Sequence, residues 1–226
     1  MKSNKNISRF LGATFLMVLV TSALSNFLLT SIIGSGSTSD FLVAISKNLT
    51  KIKVSTLIEM VTSVGIIVLA VLLYVVLHKQ NKTIALVAMG WWFAEAITLV
   101  VSKIGAMALI PLSLEFVKAG APESSFYQTL GEFFYNGIDR QGNDIHMLFY
   151  CLGGVLWFYL FYKSSYIPLF LSVWGLVAET VALIGIVLLL VDINVDIIFF
   201  AHIALLELTI GLWLLVKGIR NGSDYL

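Results

Sequence analysis

Six blocks of apolar residues, each long enough to cross a lipid bilayer, constrain this chain more than any other feature of its sequence. A membrane-crossing helix needs about 20 apolar residues, because backbone polar groups find no water in hydrocarbon and must pair inside the helix. The sequence therefore predicts an all-α membrane protein, with 1–226 as one polytopic helical domain. The predicted spans cover about 10–29, 54–77, 84–106, 145–162, 167–191 and 197–216.

Composition supports the same class. The chain is 59% hydrophobic and only 12% charged, against roughly 25% charged in soluble globular domains, which excludes a water-soluble monomer. Its net charge of +1 gives no indication of nucleic-acid binding. The single cysteine, Cys151, lies inside an apolar block and has no partner for an intrachain disulfide. We therefore expect the protein to cross the cell membrane several times and to have the lipid bilayer as its partner.

The first apolar block resembles a secretory signal in one respect. Basic residues precede it, and Ala23 and Ser25 loosely imitate a cleavage site. The apolar stretch is longer than a usual signal core, and the rest of the chain is itself apolar. We therefore expect a retained signal anchor rather than a cleaved signal.

Orientation follows from the distribution of lysine and arginine between the two sides of the membrane. With the amino terminus in the cytoplasm, the inner side holds eight basic residues and one acid, Asp224. The sequence thus predicts that both termini face the cytoplasm. The inner basic residues are Lys2, Lys5, Arg9, Lys79, Lys82, Lys163, Lys217 and Arg220. The outer side holds Lys47, Lys51, Lys53, Lys103, Lys118 and Arg140, and the acids Asp40, Glu115, Glu123, Glu132, Asp139, Asp144, Asp192 and Asp196.

Two connections between spans are longer than a hairpin needs. In 31–53, Asp40 is placed to cap a short helix with Phe41, Ile45, Leu49 and Ile52 on one side. In 111–143, Pro111 is expected at a helix end and Pro122 at a first helical position, followed by apolar residues at helical spacing. These residues are Phe126, Leu130, Phe133 and Phe134. Both segments are predicted to be amphipathic helices at the outer interface, and a lid over an external cavity is the alternative.

Ionisable residues inside the predicted spans are the strongest indication of function, because a charge at the bilayer centre costs about 2.5 to 3.5 kcal/mol even on the insertion scale. Three glutamates are expected deep in the bilayer and one nearer its surface, with two histidines in the outer half. We take all six as candidate ligand- or proton-binding residues: Glu59, Glu95, Glu179, Glu207, His202 and His146. No lysine or arginine in the spans is placed to neutralise the deep three.

A purely structural role is the alternative for each glutamate. Low dielectric favours the uncharged carboxyl, which can donate a hydrogen bond between helices, worth about 0.6 kcal/mol on average. Spans three and five carry similar strings around Glu95 and Glu179, and spans two and six around Glu59 and Glu207. A true internal repeat would place two glutamate-bearing hairpins around one polar centre, as in repeat-built transporters.

Three segments then show a resemblance to a known family. They are AGAPESSFYQTLG at 119–131, YKSSYIPLFLSVWG at 162–175, and Glu207 followed by WLLVKG at 213–218. Together with RFLG at 9–12, Glu59 and Glu95, they resemble the bacterial membrane family catalogued as domain of unknown function 4386. The resemblance covers nearly the whole chain and implies the topology, but no activity.

The chain departs from that family's pattern at one position. Many members carry an arginine three residues before the third-span glutamate, whereas this chain has Trp92. The intrahelical ion pair that the resemblance would imply at Glu95 is therefore absent.

Other chemistries find little support. His202 and Glu207 are five residues apart and do not share a helix face, and no helical pair of metal ligands occurs, so we expect no metal. Two histidines are insufficient grounds for haem, and we expect no cofactor. No Gly-x-Ser-x-Gly motif is present, and Ser172 lies far from the deep histidines, so no catalytic residue is assigned. Gly153 and Gly154 are interpreted as a close helix contact.

Three functions stay open. The first is a carrier or binder of a small molecule or protons, with an outward-facing cavity lined by the glutamates. The second is a sensor or accessory protein in which a carboxyl network fixes helix packing. The third is an enzyme acting on lipid or quinone, which we rank last. Because six spans are few for a monomeric transporter, we expect a carrier of this kind to be a homo-oligomer.

Overall fold

The computed structural model describes residues 2–32, 37–122, 126–196 and 198–220, with side chains from residue 6. In these ranges the chain forms helices and contains no strand. The α-helices are α1 (Lys2–Thr30), α2 (Thr38–Lys47), α3 (Leu49–Leu77), α4 (Lys82–Lys118), α5 (Phe126–Glu132), α6 (Gln141–Ser164), α7 (Leu169–Leu190) and α8 (Ile198–Val216), and a π-helix (Phe133–Arg140) joins α5 to α6.

Three residues used in the sequence-based expectations lie outside these ranges. Ile197, the predicted start of the last span, is one of them, and Glu123 and Asp224 are two charges used for orientation. The side chains of Lys2 and Lys5 also lie outside the described part of the chain.

Within the described ranges, six helices are long and apolar enough to cross a membrane, as many as the sequence predicted. Their bounds differ from the prediction in the middle of the chain. The second span begins at Leu49 rather than near residue 54, and the third continues to Lys118 rather than ending near residue 106. The fourth is part of a helical stretch that runs from Phe126 to Ser164.

The prediction that Pro111 ends a helix is wrong, because Pro111 lies inside α4. A proline lacks the N–H that would bond the carbonyl four residues earlier, so it removes one hydrogen bond from the helix. Membrane helices tolerate this loss when nearby groups or local adjustments satisfy the freed carbonyl. Pro168 is the N-cap of α7.

The first long connection does contain a helix, but Asp40 does not cap it. The N-cap of α2 is Ser37, whose hydroxyl accepts a hydrogen bond from the Asp40 backbone N–H, while the Asp40 carboxylate accepts from the Ser37 N–H at 3.0 Å. This reciprocal pair is a capping box, in which the third helical residue supports the cap. The helix therefore begins three residues earlier than a cap at Asp40 would place it.

The second long connection is also helical, with a later start than predicted. Pro122 is not helical, and α5 is described from Phe126. The chain then passes without a break through the π-helix into α6. π-helices are rare and often occur at functional sites.

The described chain separates into two compact units. The first unit contains 1–19, 64–96 and 146–226, and the second contains 20–63 and 97–145. In the first unit, glycines allow helices to approach closely: a Cβ on Gly12 of α1 would lie 2.4 Å from the Leu215 backbone of α8. A Cβ on Gly175 of α7 would lie 2.1 Å from the Phe158 ring of α6. Small residues serve this purpose at helix contacts in membranes.

The second unit has its own apolar core, to which α2 and α4 contribute three buried residues each. Phe41, Leu42 and Ile45 are buried, as the helical spacing predicts. They pack with residues from neighbouring elements of the same unit. These are Ile32, Ile52, Leu109, Ile110 and Phe116.

Candidate functional site

Three carboxyl side chains from three helices meet in the first unit. Glu95 belongs to α4, Glu179 to α7 and Glu207 to α8. Glu95 is 4% exposed and Glu179 is 1% exposed, while Glu207 is partly exposed. The three lie close enough to repel one another electrostatically when ionised, Glu95 with both others and Glu179 with Glu207. We call these three residues the acid cluster.

Helical periodicity explains why Glu179 points into the unit. The buried residues of α7 recur every three or four positions, so they form one face of the helix. Glu179 lies on that face between Ala178 and Ala182. The buried residues of α7 are Leu171, Ser172, Gly175, Ala178, Glu179, Ala182, Gly185 and Ile186.

Two adjacent glycines on α6 make room for this centre. A Cβ on Gly154 would lie 2.5 Å from Cδ of Glu179, and a Cβ on Gly153 would lie 2.3 Å from Cδ1 of Trp92. Real Cβ atoms essentially never come so close to their neighbours, so a side chain at either position would force Glu179 or Trp92 to move. The close contact predicted for Gly153 and Gly154 is therefore present, and it accommodates side chains of α4 and α7.

Tyr150 links the acid cluster to its aromatic neighbours. Its hydroxyl donates to Oε1 of Glu207 at 2.9 Å and lies near Glu179. Its backbone carbonyl accepts a hydrogen bond from Nε1 of Trp92 at 3.1 Å, and the two rings stack with centroids 6.0 Å apart. Tyr150 thus holds α4 and α8 to α6 at the level of the carboxyls.

The acid cluster has no positive partner among the described residues, where the ion pairs within 4.0 Å are Lys103–Asp139 and Lys118–Glu115. Oε2 of Glu95 and both oxygens of Glu179 are buried without a hydrogen-bond partner in the described structure. Buried polar atoms are nearly always hydrogen-bonded, so such atoms indicate a place for a proton, water or another ligand. In the described residues no group of three His, Cys, Asp or Glu is arranged to hold a metal ion.

The amino-acid sequence matches one known protein family. A family described as Domain of unknown function (DUF4386) matches residues 10–218. The chain belongs to this family. No curated protein and no solved structure matches it. The match spans the acid cluster and the six long helices, and it carries no statement of activity.

Trp92 occupies the family position at which the resemblance implies an arginine. Here its indole is 4% exposed and donates to the Tyr150 carbonyl, so the position supports packing between α4 and α6. Glu95 consequently has no basic residue one turn away on its own helix.

Sequence reasoning missed Tyr150, which contacts the cluster directly. A signal for it existed: Tyr150 precedes Gly154 by four residues, so both lie on one face of α6. Hydropathy alone does not reveal this, because tyrosines are common in apolar helices.

The two histidines occupy different surroundings. His202 of α8 lies next to the α7 backbone, with Nε2 3.1 Å from the Ala178 carbonyl and Nδ1 3.1 Å from the Ile198 carbonyl. It therefore joins α8 to α7 beside Glu179. His146 lies at the start of the first unit's part of α6 and is partly exposed.

Glu59 belongs to the second unit, whereas the other three candidate glutamates belong to the first. It is partly exposed, and the Ser25 hydroxyl of α1 lies near it. Ser25 and Ser55 bond to each other, with their hydroxyl oxygens 3.0 Å apart.

Lys103 and Asp139, counted above as charges of the outer loops, are instead buried. Nζ of Lys103 lies 3.0 Å from Oδ1 of Asp139, and their side chains are 7% and 3% exposed. The apolar block that contains Lys103 was predicted to end near residue 106, but α4 continues well beyond it. Their burial follows from that extension and from the π-helix, neither of which the sequence pattern predicted.

Proposed function

We propose that the protein is a multi-pass carrier of the cell membrane that binds protons, or a small molecule together with protons, at the acid cluster. One observation supports this most: three carboxyls from three helices meet in an apolar unit, and none of them pairs with a cation of the described residues. Removing charge from such a centre requires protons or a positively charged ligand, because like charges in low dielectric repel strongly. Intramembrane acids in proton relays have these properties.

Access to the cluster is proposed from the outer side. In the first unit, Asp192 and Asp196 lie in the connection between α7 and α8, while Lys163 lies in the last turn of α6 and Lys217 directly follows α8. The positive-inside rule then places both termini in the cytoplasm and the aspartates outside. Glu207, which is partly exposed, and His202 are the residues that we propose to line the outward path.

Proton flux into proteoliposomes tests the carrier function. We expect Glu95→Gln, Glu179→Gln and Glu207→Gln each to abolish flux driven by a pH gradient, because an amide cannot take up a proton. Glu115→Gln is the matched control, since Glu115 is exposed and pairs with Lys118 three residues on. Wild-type flux in all three folded cluster variants would contradict the proposal.

A non-transporting sensor or accessory protein is the second candidate. The hydrogen bond from Tyr150 to Glu207 and the close fit of Gly154 against Glu179 favour it, because both fix helix packing. Tyr150→Phe then lowers the free energy of unfolding by about 0.6 to 1.7 kcal/mol, the range of membrane double-mutant cycles. Tyr159→Phe, at an exposed position on the same helix, is the control and leaves stability unchanged. Lost stability without any proton flux in the wild type would favour this candidate over the carrier.

Topology is tested by cysteine labelling. Cys151 is buried, so Cys151→Ser gives a background without native thiols. We propose that Lys79→Cys is labelled from the cytoplasm and Lys51→Cys from outside by a reagent that does not cross membranes. The latter result also supports an outer position for α2 and the start of α3. A homo-oligomer is proposed for the carrier, and cross-linking in native membranes tests it.

A further inference from the structure

Three buried polar atoms of the first unit lie on one side of the acid cluster and have no hydrogen-bond partner in the described structure. They are Nε1 of Trp157 on α6, Oγ of Ser172 on α7 and Nε1 of Trp213 on α8. The side chains of Trp157 and Ser172 are 1% and 0% exposed. Buried polar atoms without a protein partner are the usual binding places of internal water.

The three atoms are displaced from the acid cluster in one direction. On α6, Trp157 lies beyond the glycine that packs against Glu179, by about 4.5 Å of helix rise. On α7, which is antiparallel to α6, Ser172 precedes Glu179 by about 10.5 Å. On α8, which is antiparallel to α7, Trp213 follows Glu207 by about 9 Å. All three residues therefore lie between the carboxyls and the end of the unit that is proposed to face the cytoplasm.

Ser172 differs from Thr180, the other hydroxyl residue of α7, in how its hydroxyl is placed. Oγ1 of Thr180 donates to the Leu176 carbonyl four residues earlier at 2.7 Å, a common local bond of helical hydroxyls. The equivalent acceptor for Ser172 is the Pro168 carbonyl, which already accepts from the backbone N–H groups of Leu171 and Ser172. The Ser172 hydroxyl is therefore not bonded to its own helix, and it can both donate to water and accept from it.

The same contrast separates two neighbouring indoles. The rings of Trp92 and Trp157 lie edge to face, with centroids 6.0 Å apart. Nε1 of Trp92 donates to the Tyr150 carbonyl at 3.1 Å, whereas Nε1 of Trp157 has no acceptor among the described residues. An indole N–H only donates, so it can hold a water oxygen but cannot pass a proton on.

We propose that Trp157, Ser172 and Trp213 hold a file of water molecules that joins the acid cluster to the cytoplasmic face. This inference rests on the proposed carrier function and supplies the inner half of its proton path. A protonated carboxyl of the cluster gives its proton to the nearest water, and each water passes one proton to the next. The carboxylate that remains takes up a proton from the outer side. The Ser172 hydroxyl accepts and donates within this file, whereas the two indoles only position the water.

Blocking of thiols by silver ions tests for the water, because Ag⁺ is close to water in size and does not cross lipid. In the Cys151→Ser background, we expect Ag⁺ at the cytoplasmic face of inside-out vesicles to block Ser172→Cys several-fold faster than Ala85→Cys. Ala85 is the matched control, because it is equally buried and lies near the proposed cytoplasmic end of α4, but its side chain is apolar. Maleimide labelling after unfolding measures the thiols that remain. Equal rates for the two variants would overturn the proposal.

A second measurement keeps the test decisive if Ser172→Cys does not fold. Where water binds the hydroxyl, Ser172→Ala loses those hydrogen bonds, so we expect it to unfold at a lower temperature than the wild type. A hydroxyl without water is an unsatisfied group whose removal does not destabilise, so an equal or higher unfolding temperature would overturn the proposal. Neither measurement depends on proton flux. Failure of this water path is therefore distinguishable from failure of the carrier function, which the glutamate variants test.

Discussion

The two units of this protein bury carboxyl groups in opposite ways. In the first, Glu95, Glu179 and Glu207 meet with one hydroxyl, that of Tyr150, and no cation among the described residues. In the second, Asp139 is paired with a buried ammonium, and an amide oxygen completes the contacts of that ammonium. A fixed counter-ion allows a carboxyl to stay charged in low dielectric, whereas a cluster without one needs a mobile proton or ligand. This difference shows that the position of an acidic residue inside a span does not by itself define whether its carboxyl is charged or protonated.

Removing the counter-ion gives the largest expected effect. Lys103→Ala leaves Asp139 buried without a partner, and breaking a buried pair costs about 3 to 5 kcal/mol of unfolding free energy. Part of this loss should be recovered in acid, because protonation removes the uncompensated charge. Denaturation in detergent at several pH values measures both effects.

The exposed pair of the same unit is its control. Lys118→Ala removes an ion pair whose side chains are 77% and 59% exposed, and such pairs contribute about 0 to 1 kcal/mol. Equal losses for the two lysine variants would mean that burial does not distinguish these pairs.

Filling the space beside Glu179 gives an effect of intermediate size. Gly154→Ala places a methyl group 2.5 Å from Cδ of Glu179, and overpacking of this kind costs about 1 to 3 kcal/mol. In the double variant with Glu179→Ala the clash disappears, so the two losses should not add. Unfolding of both single variants and the double variant measures the coupling.

Gly90→Ala provides the matched control for that substitution. Gly90 also lies in a helix of the first unit, but a Cβ at this position would have no neighbour within 4 Å. Alanine is favoured over glycine in helices by about 1 kcal/mol, so this variant should be neutral or more stable. A loss as large as that of Gly154→Ala would show that the space beside Glu179 is not the cause.

The smallest effect concerns an exposed carboxyl, Asp40 of α2. Hydrogen bonds from the Ser37 hydroxyl and backbone hold the pKa of Asp40 below its usual value of 3.8. Because the pKa of Asp40 is lower in the folded state, its ionised carboxylate stabilises the fold above pH 3.8. This contribution is lost as the pH falls through the lowered pKa. Amide hydrogen exchange in α2 should therefore quicken slightly in strong acid. Asp40→Asn should show no such pH dependence, and a similar acceleration there would exclude Asp40 as its source.

Part of the site was predictable from the sequence. Glu95, Glu179 and Glu207 stand out because each interrupts an apolar block, and this property belongs to each residue and its neighbours in the chain. The Lys103–Asp139 pair was not predictable in this way. Lys103 lies near the end of its apolar block, and Asp139 lies in a polar stretch that hydropathy assigns to a connection. Only the extension of α4 and the π-helix bring them together.

The helix ends show the same division. The capping box at Ser37 and Asp40 is readable from four consecutive residues, and only its register was mistaken. Pro111 inside α4 was not readable, because proline ends most helices in water and the exception depends on surrounding groups.

The sequence by itself determined the number of helices that are long and apolar enough to cross a membrane, six in the described part of the chain, because hydropathy adds up along the chain and needs no partner. Tertiary structure decided which acids share a centre and which acid has a counter-ion. That choice depends on how each helix is rotated about its axis, and rotation is fixed by contacts with distant segments, such as Gly154 against Glu179 and Gly142 against Ser102.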